Sequence, residues 1–186
     1  MAKQTINLGA APTGAGGDTP RSAFTKAQAN FDELYAVLGG AATPATARAG
    51  LGLGSAAVAG IVGTVSQSGG IPTGDIIQTI TNANGTAIKF ADGTMICRNT
   101  IDCGSVPISN VAGSLFASAS QSAKGFAATF SAFPTCHINL ISSAATAYAG
   151  TVALPSVSAS QAFYVLAPAA ASQNITAVIT AIGRWY

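Results

Sequence analysis

Three carboxylates, Asp75, Asp92 and Asp102, precede a stretch from Cys103 to Tyr186 that holds neither Asp nor Glu. Hydrolysis of a glycosidic bond ordinarily needs two carboxylates flanking that bond. A Ser-His-Asp arrangement needs a base and a group that orients it. The long C-terminal stretch supplies only Lys124, Arg184 and His137, and Asp92 stands before Gly93 in a pair that favours a hairpin turn. The expectation is a chain without catalytic residues. Nor is a cofactor expected. The glycine-rich GLGLGSAAVAG at 50–60 has neither the lysine of a phosphate-binding loop nor the following acidic residue of a dinucleotide fold.

Metal and redox chemistry fare little better. The cysteines, Cys97, Cys103 and Cys136, are odd in number and match no ligand spacing. Free thiols are expected for a protein made in the cytosol. Cys136 and His137 are adjacent, so on a strand they point to opposite faces and are poorly placed to share an ion. His137 could meet its own copies on a three-fold axis and bind one there. The alternative is a hydrogen-bonded or exposed histidine. The aromatics offer binding rather than catalysis. Tyr148, Tyr164, Trp185 and Tyr186 are amphipathic platforms suited to stacking on sugars or anchoring an interface. Arg184 beside them has a forked donor for a hydroxyl or an acidic sugar. Core packing or subunit contact is the alternative reading.

The elements that must position these groups can be read from composition and pattern. Thirty-nine of the 186 residues are alanine, so the 49% apolar content brings little area to a core. Charged residues make up 8%, against roughly 25% in an average globular chain. A surface so poor in charge points to burial between subunits. The eight basic residues are scattered, without the clustered face that nucleic acid requires. No apolar run approaches the roughly 18 residues of a membrane span, and MAKQTINLGA has no signal-peptide core. Neither membrane insertion nor an export signal is expected.

Residues 1–18 are rich in Gly, Ala and Thr, and an extended arm lying on a partner protein is expected there. Thr19-Pro20 then opens a helix that runs to Leu38 and stops at Gly39-Gly40. Phe24, Phe31 and Leu38 fall seven apart, as do Ala27 and Leu34. That is a heptad-type seam, and helices packing on one another are preferred to a helix packed on its own domain. Thr43-Pro44 opens a second, shorter helix ending at Gly50, and residues 51–74 read as a glycine-rich linker. From Asp75 the pattern is strand-like. A two-residue hairpin is expected at Asp92-Gly93. Short strands follow around 115–119, 126–130, 135–142, 148–154, 163–167 and 175–182. The fold class is mainly β: a short, coiled-coil-like helical anchor at 19–50 and an antiparallel β-sandwich head at 75–186.

Several of these segments resemble a known family. INLGAAPTGAGGDTPRSAFTKAQANFDELYAVLGG resembles the N-terminal segment of bacteriophage tail-fibre and related virion-fibre proteins, and ATARAGLGLGSAAV is similar to their linkers. NANGTAIKFADGTMIC resembles the hairpin that opens many fibre heads, and AIGRWY is similar to their closing strand, in heads that look like an H-type lectin sandwich. The resemblance implies a homotrimeric virion fibre, assembled in the host cytoplasm. Residues 1–50 would dock on tail, baseplate or collar proteins, and the head would face host-surface polysaccharide. The single short linker makes a short accessory or collar fibre, purely structural, the alternative.

Overall fold

The computed structural model describes residues 3–38, 40, 43–54, 57 and 59–186. They divide into two compact units, residues 1–58 and 59–186.

In the first unit, helix α1 (Pro20–Val37) starts where the Thr19 hydroxyl accepts the Ser22 N–H, with proline in the first turn. Its far end closes through the Gly40 N–H, which donates to the Tyr35 carbonyl at 2.8 Å. Gly39, the other half of the expected stop signal, lies outside the described residues. Helix α2 (Pro44–Gly50) begins with a reciprocal cap, Thr43 and Thr46 each binding the other's N–H. Neither helix buries a single residue, and no described helix is long and apolar enough to cross a membrane.

The second unit is antiparallel β. A small hairpin, β1 (Gln67–Ser68) and β2 (Ile71–Pro72), precedes eight strands. These are β3 (Ile77–Asn82), β4 (Gly85–Phe90), β5 (Thr94–Ala112), β6 (Leu115–Ser118), β7 (Thr135–Ser142), β8 (Tyr148–Thr151), β9 (Phe163–Ala167) and β10 (Ala171–Arg184). All eight form one hydrogen-bonded network. The order is β3-β4-β5-β6-β9-β8, with β10 pairing both β5 and β7. The expected two-sheet sandwich is therefore one continuous sheet that doubles back. Phe163 and Val165 of β9 pack against Val106, Leu140 and Ile175 of β5, β7 and β10, strands to which β9 is not hydrogen-bonded.

The long ribbon of β5 and β10 is the spine, paired from Thr94–Arg184 to Ile108–Ala171. β5 changes phase halfway. Met95 and Cys97 point inward, and so do Val106 and Ile108, of opposite parity. The switch is a bulge at 102–105, where the register shifts between Asn174 and Thr176. The Asp102 carboxylate accepts the Gly104 N–H at 2.8 Å, and Gly104 takes φ +67°, a backbone state suited to glycine.

Residues 126–130, expected as a strand, are irregular and form the second layer over one half of the spine. The reason lies beneath them. Ala87, Cys97, Ala181 and Cys136 make one cross-strand row of small side chains. Phe126 and Phe130 fill the space above it, with ring centroids 5.3 Å apart and nearly perpendicular. A Cβ on Gly183 would stand 2.9 Å from the Phe130 ring. The segment is held by side-chain and backbone bonds rather than by a ladder, Asn82 donating to the Ala127 carbonyl and Phe130 N–H to Val157.

Two boundaries also differ from the sequence reading. The second half of the expected linker belongs to the β unit, since the Gly63 N–H donates to the Ile77 carbonyl and the Ile76 and Ile77 N–H groups donate to the Gly60 and Ile61 carbonyls. Ser55, Ala56 and Val58 of that linker lie outside the described residues. The hairpin at Asp92-Gly93 has three connecting residues, 91–93, and a two-residue turn stands instead at Ala83-Asn84.

Candidate functional site

On α1 the predicted seam is bare. Phe24 is 75% exposed, Phe31 60% and Leu34 54%, while Ala27 and Leu38 are half-buried. A neighbouring strip of the helix is covered by residues 3–18. The Asn30 amide pairs with the Gln4 backbone as a strand would, accepting its N–H at 2.7 Å and donating to its carbonyl at 2.9 Å. The Lys26 ammonium reaches the Thr5 carbonyl at 3.2 Å and the Asp18 carboxylate at 2.7 Å. Asp18 also accepts the Asn7 N–H. The bond from Lys26, and then that from Asn7, hold the Asp18 carboxyl below the usual carboxylate range. The arm expected to stretch over a partner thus folds onto its own helix, because Lys26 and Asn30 satisfy its backbone groups.

The aromatic and basic residues picked out as one candidate site separate into two groups. At one end of the spine, Arg184, Trp185 and Tyr186 grip the turn between β4 and β5. Trp185 Nε1 donates to the Phe90 carbonyl at 2.8 Å, Tyr186 OH to Ala91 at 3.0 Å and Arg184 Nη2 to Asp92 at 2.8 Å. Three consecutive carbonyls are held by three consecutive side chains. Lys89 lies 5.1 Å from the Trp185 ring and Arg184 5.4 Å from that of Tyr186, both within cation–π range. Backbone and hydroxyl bonds from Thr94 hold the Asp92 carboxyl below its ordinary range.

Tyr148 and Tyr164 lie elsewhere. They stand on the outer face of β8 and β9, flanking Leu166 and Gly150. β9 is hydrogen-bonded to β6 and not to the spine, and Phe163, next to Tyr164, shares a core cluster with Ala177, seven residues and roughly 23 Å along β10 from Arg184 at 3.3 Å per residue. No single ligand of ordinary size would touch both groups.

His137 is exposed on β7, facing outward opposite Thr180. Cys136 beside it faces inward, as strand alternation requires. The thiols of Cys97 and Cys136 are pushed up by burial. Ala181 stands between them in the ladder, which separates their Cα atoms by two strand spacings, roughly 9–10 Å, beyond disulfide reach. All three cysteines are free thiols. Among the described residues, no three His, Cys, Asp or Glu side chains gather as a metal site would require.

One feature escaped the sequence reading. The outward side chains of β3, β4, β5 and β10 include Ile77, Ile88, Ile96, Val178 and Ile182, none of them in either core cluster. The signal was present: TMIC and ITAVITAI carry apolar residues in both phases, which is the pattern of a strand with two apolar faces.

No protein-family model and no curated protein matches the chain. Among solved structures it is similar to an N-truncated R1-type pyocin tail fiber, at 18% identity and a TM-score of 0.43, over 77% of this chain and 98% of that one. It is also similar to a C-terminal portion of the P. aeruginosa R1 pyocin fiber, at 17% identity and a TM-score of 0.41. That alignment covers 78% of this chain and 32% of the other, so the chain spans about a third of that neighbour's length.

Proposed function

We propose that the chain is a subunit of a homotrimeric virion fibre. In this reading α1 is the assembly helix, residues 1–50 dock on tail, baseplate or collar proteins, and the lectin-like β unit is the outward adhesion head. The observation that carries it is the bare seam. Phe24, Phe31 and Leu34 recur at heptad spacing and stand more than half exposed on a single chain, an arrangement that buries apolar area when like helices pack. The fibre motifs quoted above give that assembly its setting. Catalysis has no part in this reading.

Sedimentation of the full chain tests it. The expected species is a trimer. Phe31→Asp places a charge in each copy of the seam, and is expected to raise the trimer's dissociation concentration at least 100-fold. A monomeric wild type, or an undisturbed Phe31→Asp trimer, refutes the seam.

For the head, the outward pair Tyr148 and Tyr164 is the better candidate for host-surface glycan, since the polar groups of Arg184, Trp185 and Tyr186 already hold the hairpin turn. That same engagement favours, for the tip, the second reading of an accessory fibre without a ligand. Whole-cell and glycan-array binding by the folded trimer separates the two. Adhesion that falls with Tyr148→Ala supports the first, and a trimer that binds no host surface leaves the second.

A further inference from the structure

An antiparallel sheet with one solvated face normally turns polar, charged side chains outward. The outer face of β3, β4, β5, β10 and β7 does not. Its rows can be followed strand by strand through the ladder. One row reads Thr79, Ile88, Ile96, Ile182 and Thr135. The next reads Thr81, Thr86, Arg98, Thr180 and His137. Beyond these stand Val178, between Thr100 and Asn139, and then Asp102, Thr176 and Ile141. Ile182 is 48% exposed and Ile141 54%. Branched apolar residues and threonines dominate; Arg98 and Asp102 are opposite in sign, and Arg184, outward at the end of β10, is turned onto the Asp92 carbonyl.

We infer that this face packs on neighbouring copies around the three-fold axis, as a second assembly surface in the head; the inference rests on the trimeric reading above. Charge is the first argument. Arg98 and Asp102 lie on the same side of β5, four residues and thus roughly 13 Å apart, too far to pair within one chain. Asp102 uses one carboxylate oxygen on Gly104. In a ring closed by rotation one part of the face on each copy meets a different part on the next, an arrangement in which Arg98 of one copy faces Asp102 of its neighbour and both charges are matched. Size is the second argument. Five strands and four rows span roughly 500 Å² at the ordinary strand and side-chain spacings. One side of a standard interface buries about 800 Å². The face is thus too small to hold an assembly alone and large enough to reinforce a helical seam. Composition is the third. A ligand-reading surface needs convergent polar groups around a concavity, whereas this face is a ladder of methyl groups.

The full chain tests this with a local chemical probe. Arg98→Lys supplies an amine that a zero-length carbodiimide joins to a carboxylate only in direct contact. The expected result is covalent dimers and trimers on a denaturing gel, lost when Asp102→Asn is added. Ile182→Glu, at an outward position where folding is undisturbed, is expected to raise the trimer's dissociation concentration about tenfold. An Arg98→Lys trimer that gives no covalent species, together with a trimer that ignores Ile182→Glu, overturns this inference and leaves the helical seam standing. A wild-type monomer overturns both. Should Ile182→Glu leave the trimer intact but abolish adhesion to host cells, the face serves a ligand, and the inference fails.

Discussion

The two units make different use of the same alanine-rich composition. In the first, α1 and α2 bury no residue. In the second, two clusters form, and Phe163, Val165, Ile175 and Ala177 are wholly buried. Alanine explains both outcomes. On a lone helix, small residues leave the few large ones, Phe24 and Phe31, standing in water. In the sheet, a row of small residues from Ala87 to Cys136 makes a hollow that Phe126 and Phe130 fill. A low-area composition can therefore build a core where layers stack, while the two helices bury none of their own residues.

Phe163→Ala tests the self-sufficient half most severely. Phe163 has no exposed surface, and truncating a buried phenylalanine costs about 3–5 kcal/mol. Thermal unfolding should show the β unit melting at a markedly lower temperature while helical ellipticity from α1 persists in the assembled chain. Dilution should do the reverse, loosening α1 before the sheet. A single transition that moves as one under both perturbations would erase the distinction between the units.

A smaller effect is expected at the tip. Trp185→Phe keeps an aromatic ring beside the first core cluster but removes the bond to the Phe90 carbonyl. The expected loss is about 1 kcal/mol in denaturant unfolding of the β unit. Adhesion should not change, since this side chain secures the turn between β4 and β5. Lost adhesion with unchanged stability would return the tip to the ligand-binding surface.

Local signals made the helical unit legible. Thr19-Pro20 and Thr43-Pro44 open helices where their hydroxyls cap the first turn, and α2 ends at Gly50. Strands 135–142 and 163–167 stand where alternation placed them. Long-range geometry was less legible. β5 runs through Cys103 to Ala112 because the bulge at Asp102 inverts its phase, so the alternation breaks while the strand continues. The segment 126–130 looks strand-like because its phenylalanines are core residues, yet their partners are side chains across a layer. The aromatic site divided for a related reason. Tyr164 and Trp185 are close in sequence, but β9 packs over the part of the spine around Ile175 and Ala177 while β10 runs on to the tip. The outer face was missed because an apolar residue in either phase reads as core until the pairing is known.

The finest difference between the units concerns acid. Asp18 ties the arm to α1, and Asp92 pins a turn of the sheet, both with carboxyls held below the ordinary value of 3.8. A depressed carboxyl favours the folded form above the unfolded pKa, and the advantage is lost as pH falls through the folded value. Both contributions are therefore intact at pH 5 and fade below about 3.8. Their consequences differ. In the sheet, Asp92 is one bond among many around a turn that Arg184, Trp185 and Tyr186 also hold. In the arm, the Asp18 carboxylate joins Lys26 and Asn7 at a single point. Acidification from pH 5 to 3 should expose residues 3–18 to an acid-active protease before the β unit yields. Asp18→Asn should show that susceptibility already at pH 5, with little change on further acidification. An arm equally protected at both pH values in the wild type would mean that Asn30 and its bonds to Gln4 carry the attachment without the carboxylate.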